Sequence, residues 1–302
     1  MTLPLSDLAQ IRSYPLTNYC AWLEPYVPSA TLSPAEGRRQ ARWVWPMVVG
    51  LLAAFAACSF TASLSKGVSF DEGLQLAAGY KLWLYEDYRV EGANGDFVKR
   101  WATLPYLLTR PNFVAREDPR LTPIDSYELG RQFLFELGNQ PEAPLRQSRA
   151  MIVLLGVAAG FLVFWFSRAV FGPVGGLVSL LVYVTSPHML AFSAIVSTDL
   201  SITLTLFGST MCIWQLLHRV TAGRVLASLG FFALLLLAKM TAMIIFPIAA
   251  ALLVIRFVGG KPLVVNWRMR SWSLASRGSH ALVFAALVGL HALAGWTAIW
   301  AH

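Results

Sequence analysis

Two adjacent carboxylates, Asp71 and Glu72, stand in the stretch Ser69-Phe70-Asp71-Glu72-Gly73, shortly after a long apolar run that ends at Leu64. A carboxylate fixed at a helix start beside a membrane surface, facing an outer cavity, is placed to accept a proton from a substrate hydroxyl. Ser69 and Glu72 also fit the capping-box pattern, in which the acid reaches back to the N-cap amide. The expectation is a division of labour. Asp71 is the general base, while Glu72 chiefly closes a cap, tolerates replacement by Gln, and is retained as a second catalytic candidate.

A third acid, Asp199, precedes another apolar run in Ser197-Thr198-Asp199-Leu200. It is either a first-turn acid behind a Ser or Thr cap or a functional group, because an unpaired charge at the edge of hydrocarbon is costly. The candidate cations are Lys99 and Arg100, on the polar side of a segment with Trp101 opposite, and Lys239, in the middle of the apolar stretch Val225–Ile255. Such groups can hold a phosphate as its ester bond breaks. Their plainer roles are attraction to anionic headgroups for the pair and snorkelling for Lys239. His188 and His291 read as helix-packing hydrogen bonders. Cys20, Cys58 and Cys212 are widely spaced, and neither a disulfide framework nor a zinc site can be read from them.

The elements that position these groups are membrane spans. The 302 residues are 56% hydrophobic and 13% charged, with a mean hydropathy of +0.57, more apolar surface than a soluble domain of this size can bury. Stretches able to cross about 30 Å at about 1.5 Å per residue are Trp43–Leu64, Met151–Ser167, Val174–Phe192, Leu200–Leu217 and Ala281–Ala301. Val225–Ile255 is too long for one straight crossing, and Arg219, Arg224, Arg256 and Lys261 flank both its ends. The positive-inside rule then favours a hairpin with Lys239 at its outer turn, the other reading being one span plus an interfacial helix. About seven transmembrane helices result, an all-α integral membrane fold. Residues 1–42 form a cytoplasmic segment with no cleaved signal, residues 43–302 the transmembrane domain, and residues 65–149 a large outer loop.

Net charge is +8, but the cations stand between spans rather than in a run, which argues for topology signals and against nucleic acid. The acids are more telling: twelve of sixteen lie between Asp71 and Glu142, and only Asp199 follows. Within the outer loop, Phe70, Leu74, Ala77, Ala78, Leu82 and Tyr85 recur at helical spacing, as do Phe97, Trp101, Leu104 and Leu108. The spacing predicts two juxtamembrane helices lying in the interface. A third helix is expected from a Thr122 cap, through Pro123, Ile124 and Asp125, to a stop at Gly138.

Taken in order, the first span, "SFDEGLQLAAGYKLWLYEDYRV", "GDFVKRWATLPYLL", "GRQFLFELGNQPEAPLRQSRAMIVLLG", "FSRAVFGPVGGLVSLLVYVTSPHMLAFSAIVSTDLSITL" and "FFALLLLAKMTAMIIFPIAAALL" resemble the GT-C membrane glycosyltransferases of the protein O-mannosyltransferase and aminoarabinose transferase type. The resemblance runs from about residue 43 to the C-terminus. It implies transfer of a sugar from a polyprenyl-phosphate donor to a hydroxyl of a protein, lipid or glycan acceptor on the outer face, by a single inverting displacement. A divalent metal is a candidate cofactor. It also implies a multi-pass location, with a bacterial inner membrane as the expected setting. On it, Asp71 takes the essential acid's position, Asp199 that of the second acid in a Thr-Asp motif, and Lys99 that of a basic, positively charged residue on the juxtamembrane helix. Asn94-Gly95-Asp96 replaces the family's frequent His-Pro-Pro, and members usually continue through further spans. The rival expectations are a multispan transporter and a non-catalytic scaffold of the same shape.

Overall fold

The computed structural model describes residues 34–89, 94–121, 125–267 and 270–301. The expected cytoplasmic segment before Pro34 and the Thr122 cap with Pro123 and Ile124 lie outside the described residues. Helix α1 (Pro34–Leu64) begins well before the apolar run it contains. Helix α6 (Glu142–Val184) has 43 residues, about 65 Å if straight and about twice a bilayer. It is not straight. Gly172 sits at φ 75°, ψ −179°, and Pro173 follows it. A left-handed residue ahead of a proline turns the chain back on itself. The Tyr183 hydroxyl donates to the Gly156 carbonyl at 2.8 Å, so the second part returns along the first. The expected span Val174–Phe192 is therefore shorter: α6 stops at Val184, and Ser186 caps a separate short helix, α7 (Pro187–Phe192), by accepting from the Met189 amide.

Helix α8 (Thr198–His218) follows, then α9 (Ala222–Leu236), a 3-10 turn (Met240–Ile244), α10 (Ile245–Val258) and α11 (Arg277–Trp300). The break between α9 and α10 falls at Lys239, where the charge pattern places a turn. Among the described residues, five helices are long and apolar enough to cross a membrane: Trp43–Leu64, Glu142–Val184, Thr198–His218, Met240–Val258 and Arg277–Trp300. Helix α9 is equally apolar but has only 15 residues. The chain is an α-helical membrane protein by these lengths and compositions.

One feature departs from an all-helical reading. Strand β1 (Arg219–Thr221) pairs in parallel with β2 (Leu263–Trp267), which pairs antiparallel with β3 (Arg270–Leu274). The stretch alternates too briefly, among too many cations, to be read as strands. Arg256, at the end of α10, holds this sheet to the bundle. Its guanidinium donates to the carbonyls of Leu217 at 2.8 Å, Lys261 at 2.8 Å and Pro262 at 2.9 Å, so it satisfies a free carbonyl at the end of α8 and fixes the chain entering β2.

The loop between α1 and α6 folds into a module of its own. Helix α2 (Phe70–Tyr85) was expected to lie in the interface, with one face in water. Instead every residue from Glu72 to Leu82 is buried, because α5 (Ser126–Phe135) and α3 (Asp96–Thr103) pack against it. The second expected helix is broken by Pro105 into α3 and a single turn, α4 (Tyr106–Thr109). The third starts later than its Thr-Pro signal suggests: Asp125 is the cap of α5, accepting from the amides of Tyr127 and Glu128. Tyr80, Tyr106, Phe113 and Phe133 form the module's centre, with ring centroids 5.4 to 6.1 Å apart. Fully buried Lys81 reaches Asp87 at 2.8 Å. The Arg89 guanidinium, and after it Lys81, hold the Asp87 carboxyl well below the usual carboxylate range, against the opposing effect of partial burial.

Candidate functional site

Glu72 is the most heavily engaged acid of the candidate set. It is fully buried, and its carboxylate accepts from Arg149 Nε at 2.8 Å and Nη2 at 2.6 Å. It accepts the Ser69 amide at 2.9 Å, the reach-back arm of the capping box, and the Val196 amide at 3.0 Å. Arg149 answers with its remaining donors: Nη1 to the carbonyls of Ser63 at 2.7 Å and Lys66 at 3.0 Å, and Nη2 to Gly67 at 2.8 Å. A guanidinium has five N–H groups, and five bonds are formed. This ion pair joins the end of α1, the start of α2, the first turns of α6 and the segment entering α8. Glu72 closes the capping box as expected, and it also anchors the Arg149 cluster, which the cap reading does not include.

Asp71, the next residue back, has the opposite environment. Its side chain is exposed, and among the described residues it has no hydrogen-bond or ion-pair partner. The backbone beneath it is held rigid by the Glu72 cluster. An exposed carboxylate on a fixed helix start keeps all its lone pairs for an incoming donor.

Contacts connect this corner to the other candidates. Three residues after Val196, Asp199 lies in the first turn of α8, and its Oδ1 is 3.0 Å from Lys239 Nζ. The Asp199 side chain is half exposed and that of Lys239 29% exposed, so the pair remains open to solvent and to ligands. The turn that carries Lys239 meets the start of α3, where the Phe97 amide donates to the Leu237 carbonyl at 3.0 Å. Lys99, one turn along α3, is buried. Its ammonium donates to the Asn94 carbonyl at 2.9 Å and lies 3.3 Å from Asp96, so the segment Asn94-Gly95-Asp96 supplies partners for it. Arg100 points elsewhere: it stacks 5.0 Å from the Trp83 ring centre, and Nη2 donates to the Tyr88 hydroxyl at 2.8 Å. Asp71, Glu72, Asp199, Lys239 and Lys99 are thus linked around one end of the bundle, and Arg100 belongs to the side of the loop module.

Comparisons with family models, with curated proteins and with solved structures find no match for this chain. The site therefore stands on its own geometry. Among the described residues no three His, Cys, Asp or Glu side chains gather as a metal-binding group. His291 packs helices as its sequence setting suggests: its Nε2 is 2.9 Å from the Ser228 hydroxyl and its Nδ1 2.8 Å from the Leu287 carbonyl.

Arg149 is the participant that motif reading passes over. By sequence it is only the last residue of the outer loop. The one signal lies in Arg149's own position, since a cation at the start of an apolar run needs a counter-charge. Arg149, directly before the apolar run from Met151, is one of few cations so placed.

Proposed function

We propose that this protein is a membrane glycosyltransferase that moves a sugar from a polyprenyl-phosphate donor to a hydroxyl acceptor, with Asp71 as general base. The observation that carries the reading is the contrast between neighbours: Glu72 is buried and fully occupied, and Asp71 is exposed with its oxygens free. In the proposed step the acceptor oxygen attacks the anomeric carbon, the carbon–oxygen bond to phosphate breaks, and its electron pair leaves with the phosphate. The hydroxyl proton passes to Asp71. Lys239, paired among the described residues only to half-exposed Asp199, is the cation best placed to turn toward the leaving phosphate. Lys99 holds the turn beneath it.

The same reading takes the bundle as seven passes, counting the two arms of α6 and the short α9 as crossings, with the site on the outer face of a bacterial inner membrane. Arg168, Arg219, Arg224, Arg256 and Arg277 then fall at the opposite, cytoplasmic end. The ordered sequence resemblance to GT-C enzymes supports the donor class.

The deciding experiment incubates the purified protein in lipid nanodiscs with labelled polyprenyl-phosphate sugars and a panel of hydroxyl acceptors. Label should move to an acceptor. Uptake of solute into vesicles without such transfer would favour a carrier instead. Neutralising Lys239 as Lys239→Met should slow transfer more than tenfold, about 1.4 kcal/mol of transition-state stabilisation. It should scarcely change thermal stability, since a solvent-exposed pair contributes about 1 kcal/mol at most. Rates within twofold of the parent would assign Lys239 to Asp199 alone.

A further inference from the structure

Two aromatic side chains remain unused by the chemistry above: Phe70, next to Asp71 in sequence, and Tyr127, stacked on Phe70. Phe70 is 80% exposed and Tyr127 46% exposed, yet their ring centroids are 4.5 Å apart, with planes inclined by 34°. Neither belongs to a helix long enough to cross a membrane. Both stand on fixed backbone. Phe70 opens α2 between Ser69 and the buried Glu72, and Tyr127 opens α5, its amide bound by Asp125 at 3.0 Å. The two helix starts are locked together at Gly130, where a Cβ would come within 2.4 Å of the Gly73 carbonyl carbon.

We propose that the Phe70–Tyr127 ring pair and the Asp71 carboxylate form a platform for a pyranose ring, borne by the lipid donor or by a glycan acceptor. One face of a pyranose is a row of C–H groups polarised positive by the neighbouring oxygens, which matches the negative face of an aromatic ring. Its equatorial hydroxyls project at the edge, where a carboxylate accepts them. Of the nearby acids, Asp125 is occupied by backbone amides and Glu128 by Arg131, which leaves Asp71 to bind hydroxyls. The carboxylates give an anionic headgroup no attraction, so a neutral polyol is the better match. As a subsite for transfer the platform rests on the proposed function; as a sugar-binding surface it can be tested alone.

Phe70→Leu and Tyr127→Leu retain apolar bulk and any anchoring in the lipid interface but lose the aromatic face. With the protein in nanodiscs, saturation-transfer NMR against a panel of methyl hexopyranosides should show one face of at least one sugar contacting the wild-type protein. Each leucine variant should weaken that affinity by about tenfold, with an unchanged melting temperature. In the transfer assay the same variants should raise KM about tenfold with little change in kcat. A rise confined to the polyprenyl-phosphate sugar assigns the ring to the donor, and a rise confined to the glycan assigns it to the acceptor. Sugar-free polyprenyl phosphate should bind wild type and variants alike. The platform is overturned if no hexopyranoside contacts the wild-type protein, if the leucine variants bind sugars as the wild type does, or if KM changes only for an unglycosylated peptide acceptor. Ring-dependent sugar binding in a protein that transfers nothing would keep the platform and remove the transferase reading. Transfer with unaltered KM in both variants would do the reverse.

Discussion

Glu72→Gln should melt far below the parent protein, although the substitution keeps the shape of the side chain and its ability to reach the Ser69 amide. Gln offers one carbonyl oxygen where the carboxylate accepts four hydrogen bonds, and its NH2 group would face the Arg149 donors. The larger effect is electrostatic. Arg149 would be left as a buried cation with no counter-charge, and breaking a buried pair from one side costs about 3–5 kcal/mol. Arg149→Met should be comparably damaging, because it orphans Glu72 and also frees the carbonyls of Ser63, Lys66 and Gly67. The double variant separates the causes. If the orphaned charge dominates, Glu72→Gln with Arg149→Met should be markedly less destabilised than the sum of the single changes. Thermal unfolding in detergent reads all three. Single variants that melt with the parent would mean that the cluster holds nothing together.

The carboxylates and cations were legible in sequence as types and approximate places, and their partners were not. Asp71 and Glu72 differ by one methylene, share a helical turn and carry the same charge, so no local signal separates the exposed one from the buried one. What separates them is about 100° of rotation around the axis of α2 and the presence of Arg149, 77 residues along the chain. Spacing along one helix cannot register an interaction at that separation. The turn at Lys239 was legible because charge bias along a membrane chain is a local statement about which end faces which side. The small sheet was not, since β1 and β2 are short, lie on either side of two helices, and are made strands by each other.

The burial of α2 shows the same limit from another side. Its apolar residues recur at helical spacing, which fits a helix lying on a membrane as well as one packed in a module, and the pattern alone favours neither. The decision rests on what covers the polar face. Here α5 packs against α2 at Gly73 and α3 packs against it at Gly79, close approaches that no hydropathy pattern reveals. The consequence for function is that α2 is a rigid core element, so the group at its first turn is held in place.

That rigidity leads to the last expected result. Asp71→Asn should fold and melt like the parent, within about 0.5 kcal/mol, because the side chain is exposed and replaces no bond among the described residues. It should bind polyprenyl phosphate unchanged. Turnover should fall by about 100-fold or more, the usual consequence of losing a general base, and kcat should carry the loss. The stability readout matters as much as the rate. A variant that is inactive because it is misfolded would resemble Glu72→Gln, whereas one that is inactive at full stability isolates the proton acceptor. A fully active Asp71→Asn protein would reduce both neighbours to helix-start chemistry. An inactive, stable Glu72→Gln protein beside an active Asp71→Asn would transfer the base to Glu72, and it would require the Arg149 pair to open during the reaction.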